Sequence, residues 1–255
     1  MSEKQLDNIV NTFDSIHLEE MDSVKLMNRV DTKFTLTMDQ LLAILPELKE
    51  HYRVLEVENT RMPLYESEYY DNKNLDFYID HHRQKVDRFK VRFRKYVESN
   101  ITFLEVKHKN KGRTDKRSIM VDDLPGKMSE EHAEFVKSTG VELDNLKLVL
   151  TNKFNRITLV GKNTVERLTF DLNLSFVGNN NVSELGNIVI AELKQERLTR
   201  TSPFYSIMKR LLIRPFRISK YCVGIIQLFG IENVKYNRFK KKLLRINKLK
   251  ANVAA

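Results

Sequence analysis

Between residues 29 and 196, apolar and polar side chains alternate with a period of two along much of the chain. This pattern is typical of β-strands whose two faces meet different surroundings. The alternation is clearest in five segments, at residues 29–36, 87–96, 103–109, 167–174 and 189–196. Further strands are predicted at 64–70, 75–81, 117–121 and 146–158.

Helical spacing of apolar residues replaces this alternation at both ends of the chain and in two interruptions of the strand region. A first helix is predicted from the spacing of Leu6, Ile9, Val10 and Phe13. Further helices are predicted at 18–27, 38–51, 129–140, 204–212 and 219–229. The 8 glycines and 5 prolines do not cluster into a linker. We therefore predict one domain over residues 1–234 and a basic tail over 235–255.

Segment 87–96 has two chemically different faces. One face carries four cations and no acid, namely Arg88, Lys90, Arg92 and Arg94. The other face carries Phe89, Val91 and Phe93. An ordinary sandwich with a solvated charged face is one interpretation, but like charges at successive positions on such a face repel. A barrel around a charged lumen accounts better for the pattern. The predicted fold is α+β, an antiparallel β-barrel tunnel flanked by helices.

Composition narrows the choice of partner. The 255 residues include 44 Lys and Arg against 34 Asp and Glu, which gives a formal charge of +10 and a pI of about 9.5. This excess predicts a polyanionic partner, such as nucleic acid, anionic lipid, a nucleotide or polyphosphate. Cys222 is the single cysteine, which excludes an intrachain disulfide and a zinc site built from cysteines. The start has no apolar signal segment, and the apolar stretch 222–231 is too short to span a bilayer. We expect a cytoplasmic protein.

An ordered series of motifs resembles a known family. The series reads RVDTKF (29–34), YYD (69–71), YIDHH (78–82), KVRFRKY (90–96), FLEVKHK (103–109), NR (155–156), RLTFD (167–171), ELK (192–194) and RISKY (217–221). In this order and spacing, residues 21–224 resemble the VTC domain. That domain is the polyphosphate polymerase domain of the vacuolar transporter chaperone family, here in a stand-alone bacterial form. It is placed among the triphosphate tunnel metalloenzymes, which also include CYTH phosphatases.

The resemblance implies an antiparallel tunnel in which the γ-phosphate of ATP is transferred to a growing polyphosphate chain with the help of Mn²⁺ or Mg²⁺. It implies ATP, polyphosphate and pyrophosphate as ligands, and no specific nucleic acid. The implied catalytic cations are Lys33, Arg92, Arg94, Lys107, Arg156, Arg167 and Lys220. Further substrate contacts are expected from Arg29, Arg83, Arg88, Lys90, Lys194, Arg217 and Ser219. Glu192 matches the metal-binding glutamate.

The chain departs from the family pattern at two positions. Phe154 replaces a frequent tyrosine, which removes a phosphate-binding hydroxyl, and Arg217 stands where lysine is common. The first strand reads Arg29-x-Asp31-x-Lys33, which has one carboxylate fewer than the Glu-x-Glu-x-Lys of CYTH hydrolases. This difference favours binding of a phosphate chain over activation of water by two metals.

Several alternatives remain at this point. The protein could be a tripolyphosphate or nucleoside-triphosphate hydrolase, or a non-catalytic polyphosphate-binding module. A nucleic-acid-binding protein would need aromatic side chains beside the cations. Among single residues, Glu192 could be an ion-pair partner of Lys194, and Ser219 could be a helix N-cap. The basic tail could lie on an anionic membrane, recruit polyphosphate or, by default, be a solvated end.

Overall fold

The computed structural model describes residues 3–24, 30–111, 113–197, 199 and 201–251, and this part of the chain contains eleven strands and seven α-helices. The strands are β1 Ser15–Ile16, β2 Val30–Thr37, β3 Tyr52–Leu55, β4 Leu64–Asp71, β5 Arg88–Tyr96, β6 Ile101–Asn110, β7 Arg113–Val121, β8 Lys147–Gly161, β9 Glu166–Gly178, β10 Asn181–Glu184 and β11 Ile188–Gln195. The α-helices are α1 Glu3–Val10, α2 Met38–Leu48, α3 Asp76–Arg83, α4 Glu130–Ser138, α5 Pro203–Arg210, α6 Lys220–Phe229 and α7 Lys240–Ala251. Two 3₁₀-helices span Leu18–Val24 and Asn237–Phe239.

The strands form one sheet in the order β2-β11-β9-β8-β4-β5-β6-β7, and each neighbouring pair is antiparallel. Strands β10 and β3 add to β9 and β8, and β1 pairs in parallel with β3. Within the described residues the edge strands β2 and β7 do not pair, so the sheet is an open, curled tunnel wall rather than a closed barrel. The α+β tunnel prediction is confirmed, with this difference in closure.

Helices cover the apolar faces of the curled sheet. The apolar side of β2, β9 and β11 packs against α1, α2 and α5, in a core that includes Phe34, Phe170 and Phe204. The apolar side of β5 and β6 faces α4, where Phe93 meets His132 edge-on at 5.0 Å. The polar residues of the same strands are left on the opposite, concave face. The period-two alternation is thus resolved into a helix-covered outside and a charged inside.

Helix α6 fills one end of the concave face. Its Gly224 lies so close to β8 and β9 that an added Cβ would be 2.7 Å from Cδ1 of Phe176 and 3.0 Å from Cδ2 of Leu150. Phe176 and Leu150 are both buried. The absence of a side chain at residue 224 therefore sets how deeply α6 enters the tunnel.

We expect Gly224→Val to destabilise the fold. The new side chain would overlap a buried aromatic ring, and overpacking of this kind costs about 1–3 kcal/mol. Urea unfolding should show a lower midpoint with an unchanged slope. A wild-type midpoint would show that α6 does not pack this closely.

The predicted strand at 75–81 is wrong, because residues Asp76–Arg83 form helix α3. The Asp71 carboxylate accepts hydrogen bonds from the backbone amides of Phe77 (3.1 Å) and Tyr78 (3.0 Å), which stabilises the start of this helix. The helix predicted at 38–51 ends at Leu48. Of the helix predicted at 18–27, residues Leu18–Val24 form a 3₁₀-helix and 25–27 lie outside the described residues.

The described part of the 235–255 segment packs onto the domain, in contrast to the default expectation of a solvated end. Leu243 and Ile246 of α7 are buried in the same core as α6. The carbonyl of Lys235 accepts a hydrogen bond from the Tyr78 hydroxyl (2.7 Å), and Lys250 Nζ donates to the Glu184 carbonyl (2.8 Å). No helix in the described ranges combines the length and apolar character needed to cross a membrane.

Candidate functional site

The strand register brings the predicted cations to the concave face. On β11, Glu192 lies opposite Lys33, and Lys194 lies opposite Arg167. On the other side of the tunnel, strands β4 to β6 continue the same face. Residues on this face at predicted site positions are Lys33, Arg88, Lys90, Arg92, Arg94, Lys107, Arg156, Arg167, Glu192 and Lys194.

The start of α6 completes the site. The Ser219 hydroxyl accepts hydrogen bonds from Lys90 Nζ (3.1 Å) and from the Cys222 amide (3.4 Å), so Ser219 is both an N-cap and a contact to β5. The next residue, Lys220, forms an ion pair with Asp171 of β9. The backbone amide of Phe216 donates to the Lys33 carbonyl on β2 (2.6 Å). Segment 216–220 therefore ties three separate strands together.

Asp171 is held between two cations. Arg156 binds it in a bidentate geometry, with Nε–Oδ1 at 2.6 Å and Nη2–Oδ2 at 2.9 Å, and Lys220 contacts Oδ2. Burial alone would raise the pKa of Asp171, but Arg156 and Lys220 hold it well below its usual range. Phe154, which stands where a tyrosine is frequent in the family, has no hydroxyl. Its ring makes a cation–π contact with Lys220, whose Nζ is 3.8 Å from the ring centroid.

Glu105 occupies an equivalent position between Arg92 and Lys116. Its Oε2 is 2.5 Å from Nη2 of Arg92, and its Oε1 is 3.1 Å from Nζ of Lys116. Burial opposes its ionisation, yet Arg92 and Arg94 hold the pKa of Glu105 well below its usual range. The Tyr69 hydroxyl accepts from Arg92 at 3.2 Å. Burial raises the pKa of Tyr69, but the charges of Arg92 and Arg94 outweigh it and lower the pKa to about 8.

Glu192 is the third carboxylate between two cations. It contacts Lys33 on one side and Lys194 Nζ at 2.7 Å on the other. Burial, together with the charge of Lys194, lowers the pKa of Lys33 to about 7. Burial and the charges of Arg156 and Arg167 lower the pKa of Lys194 well below its usual value. This face thus concentrates positive charge beyond what its neighbouring acids neutralise.

Among the described residues, no group of three or more His, Cys, Asp or Glu side chains is placed to hold a metal ion. A protein-only metal cage is therefore not available there. Mg²⁺ and similar ions commonly bind through one or two carboxylates together with substrate phosphates. Glu192, partly exposed at 16% and facing the concave side, fits that mode as the single protein carboxylate.

Arg94 and Lys107 differ from the paired cations, since neither forms an ion pair with a described residue. Arg94 donates through Nε to the Ser67 hydroxyl (3.1 Å), and its guanidinium lies 5.8 Å from the ring centroids of Tyr65 and Phe154. Burial and Arg92 lower the pKa of Arg94. Arg92 and burial lower the pKa of Lys107 well below its usual value. Buried cations without a counter-ion are favourable positions for an anionic ligand.

The predicted substrate contact Arg83 is not brought to this face. Arg83 is exposed at the end of α3, where its carbonyl accepts a hydrogen bond from Arg238. Arg29 lies outside the described residues. Arg217 is exposed just before α6. Burial and the charge of Arg88 lower the pKa of Lys109, and the charge of Arg217 lowers it further.

Two acids that pair with the cations, and two further lysines near them, were not predicted from the sequence. Glu105 and Asp171 occur in the motifs at 103–109 and 167–171 but were not predicted as counter-ions, and Lys116 and Lys109 had no assigned role. For Glu105 and Lys109 the sequence did carry a signal, because Glu105, Lys107 and Lys109 are spaced two residues apart and so share one face of β6.

The chain is similar to several solved structures and matches one family model. The solved structures that it resembles include a candidate adenylate cyclase from Bacillus halodurans (12% identity, TM-score 0.49, covering 79% of this chain and 97% of that one). They also include a candidate adenylate cyclase from Vibrio parahaemolyticus (12%, TM-score 0.45, 77% and 98%). A third is a candidate adenylyl cyclase from Hippeastrum described as having a dominant triphosphatase activity (16%, TM-score 0.46, 78% and 95%).

The comparison with curated proteins gives no significant match. The comparison with family models matches the VTC domain over residues 28–229. That match spans strands β2 to β11 and continues to the end of α6, so it includes every element that contributes a side chain to the concave cationic face. The chain belongs to the VTC domain family.

Proposed function

We propose that this protein is an ATP-dependent polyphosphate polymerase. The observation that carries the proposal is the charge arrangement of the concave face. Glu105, Asp171 and Glu192 each lie between two cations, while Arg94 and Lys107 form no ion pair with a described residue. Such a surface is suited to a chain that carries about one negative charge per unit. VTC family membership supports an activity on triphosphates or polyphosphate.

The transfer needs no protein nucleophile. A terminal oxygen of the polyphosphate chain attacks the γ-phosphorus of ATP and forms the new P–O bond. The bond from the γ-phosphorus to the β–γ bridging oxygen breaks, and ADP leaves with the electron pair. ATP⁴⁻ gives ADP³⁻, and the chain grows by one phosphate and one negative charge, so no proton has to be removed. The protein's part is to align the two phosphate chains and to neutralise their charge.

Glu192 would hold a divalent ion, which would supply charge neutralisation of the phosphates. Lys33 and Lys194 flank that carboxylate and would hold the same phosphate from either side. Arg94 and Lys107 would bind the chain from the opposite wall. Lys220, at the start of α6, would contact it from the end of the tunnel.

Hydrolysis is the main competitor, and the carboxylates argue against it. A hydrolase needs a base or a metal-bound water to attack the phosphorus. Glu105 and Asp171 have pKa values held well below their usual range by their cations, which makes them weak bases. The polymer end is already ionised at neutral pH and needs no such activation.

Primer extension tests the proposal. The protein is incubated with Mn²⁺, ATP labelled at the γ-phosphate and an unlabelled polyphosphate primer of defined length, and the products are separated by size. Label in chains longer than the primer is the expected result. Label found in free phosphate alone would identify a hydrolase, and tight primer binding without turnover would identify a non-catalytic module.

The pH dependence of binding should depend on Lys220. Burial lowers its pKa to about 8, with Asp171 opposing and Arg156 adding to the shift. As pH rises from 7 to 9, Lys220 loses its proton and one positive charge disappears from the site. Lys220→Arg keeps that charge. Calorimetry with tripolyphosphate should show affinity that falls with pH more steeply for wild type than for Lys220→Arg. If the affinities of wild type and Lys220→Arg fell equally with pH, the loss of a proton from Lys220 would not explain the pH dependence.

A further inference from the structure

The side chains on the concave face change from cationic to aromatic and apolar along the tunnel. On β5 the cations Arg88, Lys90, Arg92 and Arg94 are followed at the next inward position by Tyr96. Phe103 of β6 lies opposite Arg94, and Met120 of β7 lies opposite Phe103. These three side chains share the face of the cations but lie at the end of the tunnel remote from Arg88. We call Tyr96, Phe103 and Met120 the aromatic mouth.

A series of rings connects this mouth to the cationic interior. Phe154 stacks on Tyr65 with centroids 5.3 Å apart, Tyr65 meets Tyr96 at 4.9 Å, and Tyr96 meets Phe103 edge-on at 6.1 Å. Arg156 lies 4.9 Å from the centre of the Tyr65 ring, and Arg94 lies 5.8 Å from it. The interior end of the series is therefore within reach of a phosphate group bound by these arginines.

The outer end of the series is open to solvent. Met120 is 68% exposed, and Tyr96 and Phe103 are half-buried. Phe103 belongs to neither of the two large hydrophobic cores of the described residues. Phe103 is thus a half-exposed phenylalanine on a charged face, next to an exposed methionine and outside both cores. It offers a flat apolar surface on which a planar ring can stack.

The opposite mouth has a different chemistry. There Arg88 of β5 lies opposite Lys109 of β6, and burial together with the charges of Arg88 and Arg217 lowers the pKa of Lys109. A cluster of cations suits a phosphate chain rather than a base. In-line transfer requires the acceptor and the leaving group to approach the γ-phosphorus from opposite sides. A tunnel with one aromatic and one cationic mouth separates the two.

We propose that the aromatic mouth is a binding subsite for the base of a nucleoside triphosphate, with Phe103 as the stacking surface. The triphosphate then points inward past Arg94 and Arg156, and the polymer occupies the cationic mouth. This inference rests on the proposed function, because it assigns the donor's orientation within the same tunnel. Stacking reads no hydrogen-bond pattern, so purine triphosphates should bind more tightly than pyrimidine ones without strict base specificity.

The test compares a ligand that has a base with one that lacks it. ATP and inorganic tripolyphosphate are titrated by calorimetry into wild type, Phe103→Ala and Phe103→Leu. Loss of one base-stacking contact is expected to weaken ATP binding by about 5- to 150-fold in Phe103→Ala. Phe103→Leu, which keeps the apolar bulk, should also bind ATP more weakly than wild type. Tripolyphosphate affinity should stay unchanged in both variants.

Lys95→Ala is the matched control. Lys95 lies at the same level of β5 but on the outer face, paired with Asp123, and its removal should change neither affinity. Equal losses for ATP and tripolyphosphate in Phe103→Ala, or no loss of ATP affinity, would overturn the base subsite. Failure of wild type to bind tripolyphosphate at all would instead contradict the phosphate-binding function itself.

Discussion

Arg94→Ala is expected to weaken tripolyphosphate binding by about 10- to 150-fold while leaving the fold largely intact. Loss of a charge-assisted hydrogen bond costs roughly 1.5–3 kcal/mol, which corresponds to that range. Arg94 has no ion-pair partner among the described residues, so its removal leaves no acid unpaired. Calorimetric titration and urea unfolding of the same variant separate the two effects.

Arg92→Ala provides the contrast. Arg92 holds the buried Glu105, and removing one partner of a buried ion pair costs about 3–5 kcal/mol. We therefore expect Arg92→Ala to unfold at clearly lower urea concentration than Arg94→Ala. Lys95→Ala, on the outer face, should match wild type in tripolyphosphate affinity. Wild-type affinity in Arg94→Ala would show that the concave face does not bind phosphate.

Glu192→Gln is expected to reduce turnover by about 100-fold or more. The substitution removes the anionic ligand of a divalent ion at nearly constant volume, and the charge stabilisation that such an ion supplies is worth several kcal/mol. Binding of tripolyphosphate without metal should persist, because the surrounding lysines and arginines remain. The measurement is the initial rate of polymer formation as a function of Mn²⁺ concentration.

Glu66→Gln is the control for this variant. Glu66 lies on the outer face of β4, where it pairs with Lys153 at 3.0 Å, and its substitution should leave the rate unchanged. If wild type and Glu192→Gln gave identical metal-dependence curves, Glu192 would be an ion-pair residue only. The metal would then have to bind elsewhere.

The strands were largely predictable because each has one face toward a helix and one toward charge. Segment 87–96 shows this most clearly, since Phe93 is buried under α4 while Arg92 and Arg94 point inward. Segment 75–81 failed because its helix depends on a carboxylate at Asp71, outside the segment itself. An alternating pattern cannot reveal a cap supplied from the preceding strand.

The position of the cations on one face of their strands was predictable from the alternation, but their partners were not. Which acid meets which cation depends on register, and β8 changes register at a bulge between Lys153 and Asn155. The pair of Arg156 and Asp171 follows directly after that irregularity. Whether the sheet closes into a barrel could not be predicted from the sequence either, because the pairing of β2 with β7 depends on the curvature of the whole sheet. The buried contacts of α7 also arise from tertiary packing, which a basic composition does not indicate.

Phosphate balance is the measurement that tests the account most directly. Wild-type protein is incubated with ATP, Mn²⁺ and a polyphosphate primer, and ADP, free phosphate and polymer phosphate are quantified over time. We expect one polymer phosphate for each ADP, with almost no free phosphate, because the ionised polymer end and not water attacks the γ-phosphorus. One free phosphate for each ADP, with no polymer phosphate added, would contradict this expectation.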